Sequence, residues 1–159
     1  MTARVAFRLA VVIASAFHAL GLVRASGSAS QTPSTPPPSA GSVRAASTGV
    51  YTEAQATRGA KIYVDTCQSC HGKSLEGDIA DPLAGSEFLK AHNGQDLSRL
   101  YLKILQRMPD DAPGTLTPQV TADVLAYILK FNAFPAGKDE LPADPERLKL
   151  MKLDSKSDR

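Results

Sequence analysis

The chain has 159 residues, 43% of them hydrophobic and 21% charged, enough for one ordinary domain and too few for a large multidomain enzyme. Its 18 Lys and Arg against 16 Asp and Glu give a formal charge of +2, but Arg4, Arg8 and Arg24 lie in the first 25 positions, which hold no acid. Beyond them the count is 15 to 16, a net of −1, and no Lys/Arg stripe offers itself to phosphates, so nucleic acid is excluded as a partner. Two cysteines cannot form a disulfide scaffold in a chain of this size, so their spacing must explain them.

Arg4 and Arg8 precede an apolar run from Leu9 to Val23 that ends at Val23-Arg24-Ala25, with small residues where a signal peptidase reads. Residues 1–25 are expected to be a cleaved export signal, with an uncleaved anchor facing the periplasm as the alternative. The run is fifteen residues long and holds His18 and Gly21, whereas a span needs about 20 apolar residues. Basic residues and the absence of a lipid-accepting Cys indicate a bacterial periplasm, an oxidising compartment, and no stable membrane insertion once the signal is removed. Residues 26–49 are dominated by Ser, Pro, Thr, Ala and Gly, with Val43 as the sole large apolar residue, and are expected to be a flexible linker. As a coil, 24 such residues reach about 27 Å.

The folded part is expected from about Val50 to Ala136, and it reads as helices. Thr52, Glu53 and Gln55 form a capping pattern before Ala56, Ala60, Ile62, Tyr63 and Val64. A short helix is expected around Ser86–Ala91. Asp96 precedes Leu97, Leu100, Tyr101, Ile104 and Leu105 at helical spacing, and Pro109 stops that run. Thr117-Pro118 is an N-cap and N1 pair, after which Val120, Val124, Tyr127, Ile128 and Phe131 repeat until Pro135. The glycines and prolines of 72–95 and 109–116 mark loops, and no alternating strand pattern occurs. Three helices with so few large side chains make a thin core, which implies that something else fills the centre.

Cys67-Gln68-Ser69-Cys70-His71 is C-x-x-C-H, the attachment signature of a c-type haem. Two thiols three residues apart can each add to a vinyl group of the porphyrin, and the adjacent His is thereby held to ligate the iron. A thioredoxin-type centre calls for a βαβ setting with a cysteine at a helix N-terminus, whereas these cysteines follow a helix. A structural zinc site needs four ligands, and Cys67, Cys70, His71 and the distant His92 would force two neighbouring side chains onto one ion. The sixth iron ligand has three candidates. Met108 leads because it stands at the entrance of a proline-stiffened loop, Met108-Pro109-Asp110-Asp111-Ala112-Pro113-Gly114. Met151 lies in the charged tail, where Leu148, Met151 and Leu153 suggest one side of a peripheral helix, and His92 lies in a polar loop where histidines are commonly solvated. A His/Met pair raises the reduction potential and closes the iron to O₂ and peroxide.

With these features in order, Tyr51 to Gly137 resembles a class I cytochrome c, closest to the small bacterial cytochromes and the haem modules of quinoprotein dehydrogenases. The resemblance rests on Gly59-Ala-Lys-Ile-Tyr63, Cys67 to His71, Pro82-Leu-Ala-Gly85, Met108-Pro109, and Ala126-Tyr127 in a helix ending near Phe134-Pro135-Ala136-Gly137. It implies an all-α fold of three to five helices around one covalently bound haem c. It also implies that Gly59 and Tyr63 pack against Tyr127 where the first and last helices cross, and that the carbonyl of Pro82 accepts the Nδ1 proton of His71. The site expected on this basis is Cys67, Cys70, His71, Pro82 and Met108, with the last and His71 on the metal. No tryptophan is present for the haem propionates, leaving Arg99, Tyr101, Gln106 and Arg107 as candidates.

Residues 50–136 carry eight basic and ten acidic side chains, a net of −2, so docking is expected to use a small apolar patch such as Leu83, Ala84 and Ala112. The tail 137–159 has six basic and six acidic residues, and Asp144-Pro145 can open a short helix. Its Lys138-Asp-Glu-Leu141 is internal and therefore no retention signal. The implied function is that of a periplasmic monohaem electron carrier, not a catalyst. It would pass single electrons from a dehydrogenase or quinol-oxidising complex to a terminal acceptor, as a monomer or a subunit of a redox complex. Two alternatives are the cytochrome subunit of a quinoprotein alcohol dehydrogenase, and a haem enzyme or sensor with a displaceable Met.

Overall fold

The computed structural model describes residues 42–154, so the expected export signal and most of the expected linker lie outside the described residues. Among the described residues six α-helices run in the order α1 (Glu53–Thr66), α2 (Gln68–His71), α3 (Gly85–His92), α4 (Leu97–Arg107), α5 (Pro118–Phe131) and α6 (Pro145–Leu148). Two two-residue strands, β1 (Arg44–Ala45) and β2 (Met151–Lys152), pair in parallel with Arg44 opposite Met151. The described fold is all-α, and since α2 and α6 are single turns, four longer helices remain, within the three to five expected.

The capping signals act as the sequence indicates. The Thr52 hydroxyl accepts from the Gln55 N–H at 3.2 Å and that of Thr117 accepts from the Val120 N–H at 3.3 Å, satisfying donors that a helix start leaves unpaired. Asp96 instead accepts from the Ser98 hydroxyl, so α4 begins without a side-chain cap. The α4 stripe of Leu97, Leu100, Tyr101 and Ile104 is buried, and Met108 turns the chain to an extended conformation ahead of Pro109.

α1 and α5 cross at Gly59. A Cβ there would lie 1.9 Å from the Asp123 carbonyl oxygen, so only glycine permits the approach. Tyr63 packs on Tyr127 with ring centroids 5.3 Å apart, and its hydroxyl donates to the Gly72 carbonyl at 2.6 Å. This is the crossing the resemblance implies. On its outer side Arg58 makes two hydrogen bonds to the buried Asp123, at 2.8 and 3.0 Å.

Two boundaries differ from expectation. The packed unit begins before Val50: β1 and the 3₁₀ turn Ala46–Thr48 belong to it, Ala46 is fully buried, and Ser47 donates its N–H to Asp154 at 2.8 Å. A small-residue segment can be buried without an apolar pattern of its own when another segment covers it, and here the cover is the tail. Leu141, Leu148, Met151 and Leu153 are all buried. The apolar side read at Leu148, Met151 and Leu153 is real, but a helical turn changes to a strand after Leu148, and Met151 is core, not a peripheral helix residue. Gln55, with no exposed surface, bonds both ways to the Leu141 backbone, donating at 3.0 Å and accepting at 2.7 Å. Gly49 and Gly137 touch backbone to backbone, since a Cβ on Gly137 would meet the Gly49 oxygen at 2.3 Å.

Candidate functional site

Cys67 caps α1 and opens α2, the single turn Gln68–His71. The N–H groups of Cys70 and His71 both bond to the Cys67 carbonyl, at 3.2 and 3.0 Å, so positions i, i+3 and i+4 present Cys67, Cys70 and His71 together. Gly72 then leaves the turn at φ +82. Both thiols are free and half-buried. Burial, with Cys70 adding to it, pushes the Cys67 thiol up to about 11. Such a thiol stays protonated at neutral pH, the reverse of what a thiol–disulfide exchange centre requires.

The loop 72–84 folds back over the motif. Gly77 N–H bonds to the His71 carbonyl at 2.9 Å, Ala80 N–H to that of Cys70 at 3.0 Å, and Leu83 and Ala84 N–H both to that of Leu75. These bonds bring the Asp81 carbonyl to 2.8 Å from His71 Nδ1. A carbonyl only accepts, so Nδ1 carries the proton and Nε2 is left with its lone pair for a metal. The acceptor is thus Asp81 and not Pro82, one residue earlier than the resemblance implies: the backbone bonds from Gly77 to Ala84 fix the loop's register, and Pro82, whose ring nitrogen carries the other side of that same peptide, follows the acceptor.

A cavity of about 690 Å³ opens beside the motif, within the usual range for cofactor pockets. All five residues expected at the site, Cys67, Cys70, His71, Pro82 and Met108, line it. Phe88, Ile104, Val124 and Ile128 are buried apolar wall, drawn from α3, α4 and α5. Two thiols, an imidazole with a free Nε2 and a thioether around one apolar cavity are the donor set a covalently attached haem needs, and the residues fit that group.

Other expectations change here. His92 is not a solvated loop residue: it ends α3, stacks on Phe88 with centroids 4.7 Å apart, and lines the cavity. Burial, and after it Lys103, lowers its pKa below the usual imidazole value. Of the four propionate candidates, Tyr101 is buried and donates to the Pro118 carbonyl at 3.2 Å, while Arg99, Gln106 and Arg107 are exposed, and none of the four lines the cavity. Lys103 does, and its place three residues after Leu100 on the same stripe is the signal that could have found it. Of the proposed docking patch only Leu83 lines the cavity, joined there by Ile79, which is 81% exposed.

Residues 54–128 match the family model described as cytochrome c oxidase, cbb3-type, subunit III. No curated protein and no solved structure matches the chain. The match identifies a c-type cytochrome domain, a module that binds haem and transfers electrons.

Proposed function

We propose that this chain, whose residues 54–128 form a c-type cytochrome domain, is an exported carrier of single electrons with one covalently held haem c. Cys67 and Cys70 would form the two thioether links, and His71 Nε2 and Met108 Sδ would hold the iron. The haem supplies a one-electron iron couple, whose potential a His/Met pair sets high. The observation that carries this reading is the convergence of His71, oriented through Asp81, and Met108 on one cavity that also receives both thiols.

Each part of the chain then has a defined task. The Asp81 carbonyl, by accepting from Nδ1, fixes the imidazole plane and raises the basicity of Nε2. The buried wall of Phe88, Ile104, Val124 and Ile128 excludes water and keeps the local dielectric low. The exposed Ile79 and the half-buried Leu83 at the cavity rim give a partner a small apolar landing surface. Electron-transfer encounters of this kind are small and weak, which suits a carrier that must release. The donors in keeping with the export signal are periplasmic dehydrogenases or quinol-oxidising complexes, and the family description favours a terminal oxidase as the acceptor side.

Protein purified from its native host tests the reading: it is expected to be coloured, heavier than the chain by one haem, and to show the far-red methionine–iron band when oxidised. Met108→Ala is expected to abolish that band and lower the potential. Colourless material overturns the function, and an unchanged band and potential overturn the assignment of Met108.

A further inference from the structure

The cavity wall has an uneven distribution of charge that the proposed ligation does not use. Asp81, Glu87, Asp110 and Asp111 supply its acids, whereas beyond His71 its only basic residues among those described are His92 and Lys103. They come from different helices, His92 from the last turn of α3 and Lys103 from the second turn of α4. Among the described residues no carboxylate lies within ion-pair reach of Lys103.

Both positions are held firmly. His92 packs on the buried Phe88, its carbonyl accepts from the Gln95 N–H at 3.1 Å, and the turn that follows is pinned by the tail. Gly94 N–H donates to the Leu153 carbonyl at 2.7 Å, and Leu153 N–H donates to that of Gln95 at 2.9 Å. Lys103 stands next to Ile104 on a helix whose opposite end is fixed in the core by Leu97 and Leu100. Lys103 is exposed and His92 half-buried on the same cavity wall, so an anion placed between them would take the charge of one and a directed N–H from the other.

We propose that His92 and Lys103 receive a propionate carboxylate of the haem and so set which edge of the porphyrin faces the α3–α4 end of the cavity. The inference rests on the haem-binding reading above. His92 contributes a directed N–H, Lys103 the charge, and the acids of the wall disfavour the same carboxylate elsewhere. The tail, through Leu153, becomes part of the cofactor site although it does not line the cavity.

The test uses the haem-loaded protein in its reduced, diamagnetic form. Nuclear Overhauser contacts are expected between the His92 ring protons and propionate methylene protons. The propionate bending bands in resonance Raman spectra are expected to shift in His92→Phe and in Lys103→Met, while Arg107→Gln leaves them in place. Lys103→Met is also expected to lower the reduction potential, because the oxidised iron carries more positive charge than the reduced. Where His92→Phe fails to accumulate, His92→Gln and the wild-type contacts decide. Propionate protons in contact with other residues, or bands unmoved in both variants, overturn this inference and leave the electron-carrier reading intact. Material without haem overturns both.

Discussion

The loop 72–84 and the tail 138–154 are both mostly irregular, yet they do opposite work. The loop is exposed along much of its length, and its core contribution is Leu75, held at φ +59, a conformation an L-residue adopts at a cost of about 1–3 kcal/mol. In return, its backbone bonds deliver the Asp81 carbonyl to His71. The tail places four apolar side chains in the core and pairs with β1, but contributes nothing to the cavity wall. The loop bears its strain beside the carbonyl it positions, whereas the tail is buried without such strain.

The sharpest way to break this contrast is a matched pair of truncations. Leu75→Ala and Leu148→Ala each empty a fully buried site and are expected to cost about 2–5 kcal/mol in denaturant unfolding. Voltammetry should separate them, with a shifted potential for Leu75→Ala and an unchanged one for Leu148→Ala. A shift of equal size in both would remove the distinction.

Gln55→Ala leaves the buried N–H and carbonyl of Leu141 without partners. About 1–3 kcal/mol of stability per unsatisfied group is at stake, again with no change in potential. Smaller still is the acid response of the α1–α5 crossing. Burial pushes Asp123 up, but hydrogen bonds from Arg58 and Gln119 outweigh it and hold the carboxyl below its usual value. A depressed carboxyl stabilises the fold above the unfolded value of about 3.9 and ceases to do so as pH falls through the native one. Stability followed from pH 7 down to pH 3 should therefore fall in the lowest part of that range, and less steeply in Asp123→Asn. At the far end of the scale, Ile79→Ser on the loop is expected to change stability by no more than about 0.5 kcal/mol. It should nevertheless slow electron self-exchange measured by NMR line broadening, by up to about fivefold.

What could be read from the amino-acid order follows the same division. C-x-x-C-H is conspicuous because its three side chains fall within one helical turn, and Thr52, Thr117-Pro118 and the Leu97–Ile104 stripe are legible because caps and helical periods are local. Gly59 against Tyr127 required a family likeness, since a glycine in a helix does not state what approaches it. Asp81 in place of Pro82 was out of reach: the acceptor is a backbone carbonyl whose position depends on the register of the whole loop. The place of His92 and Lys103 on one cavity wall was out of reach because they lie on different helices, α3 and α4. β1 was read as linker because Arg44 and Ala45 are two residues long and hold no apolar period, and the partner that makes them a strand lies more than a hundred positions later.

The parallel pairing of Arg44–Ala45 with Met151–Lys152 gives the domain a mechanical property. Tension applied to the chain ahead of Arg44 meets this short zipper and the Ser47–Asp154 clasp before it reaches the helices that wall the cavity. A domain tugged at that end can therefore yield first at this seam, before the load reaches the helices around the cavity.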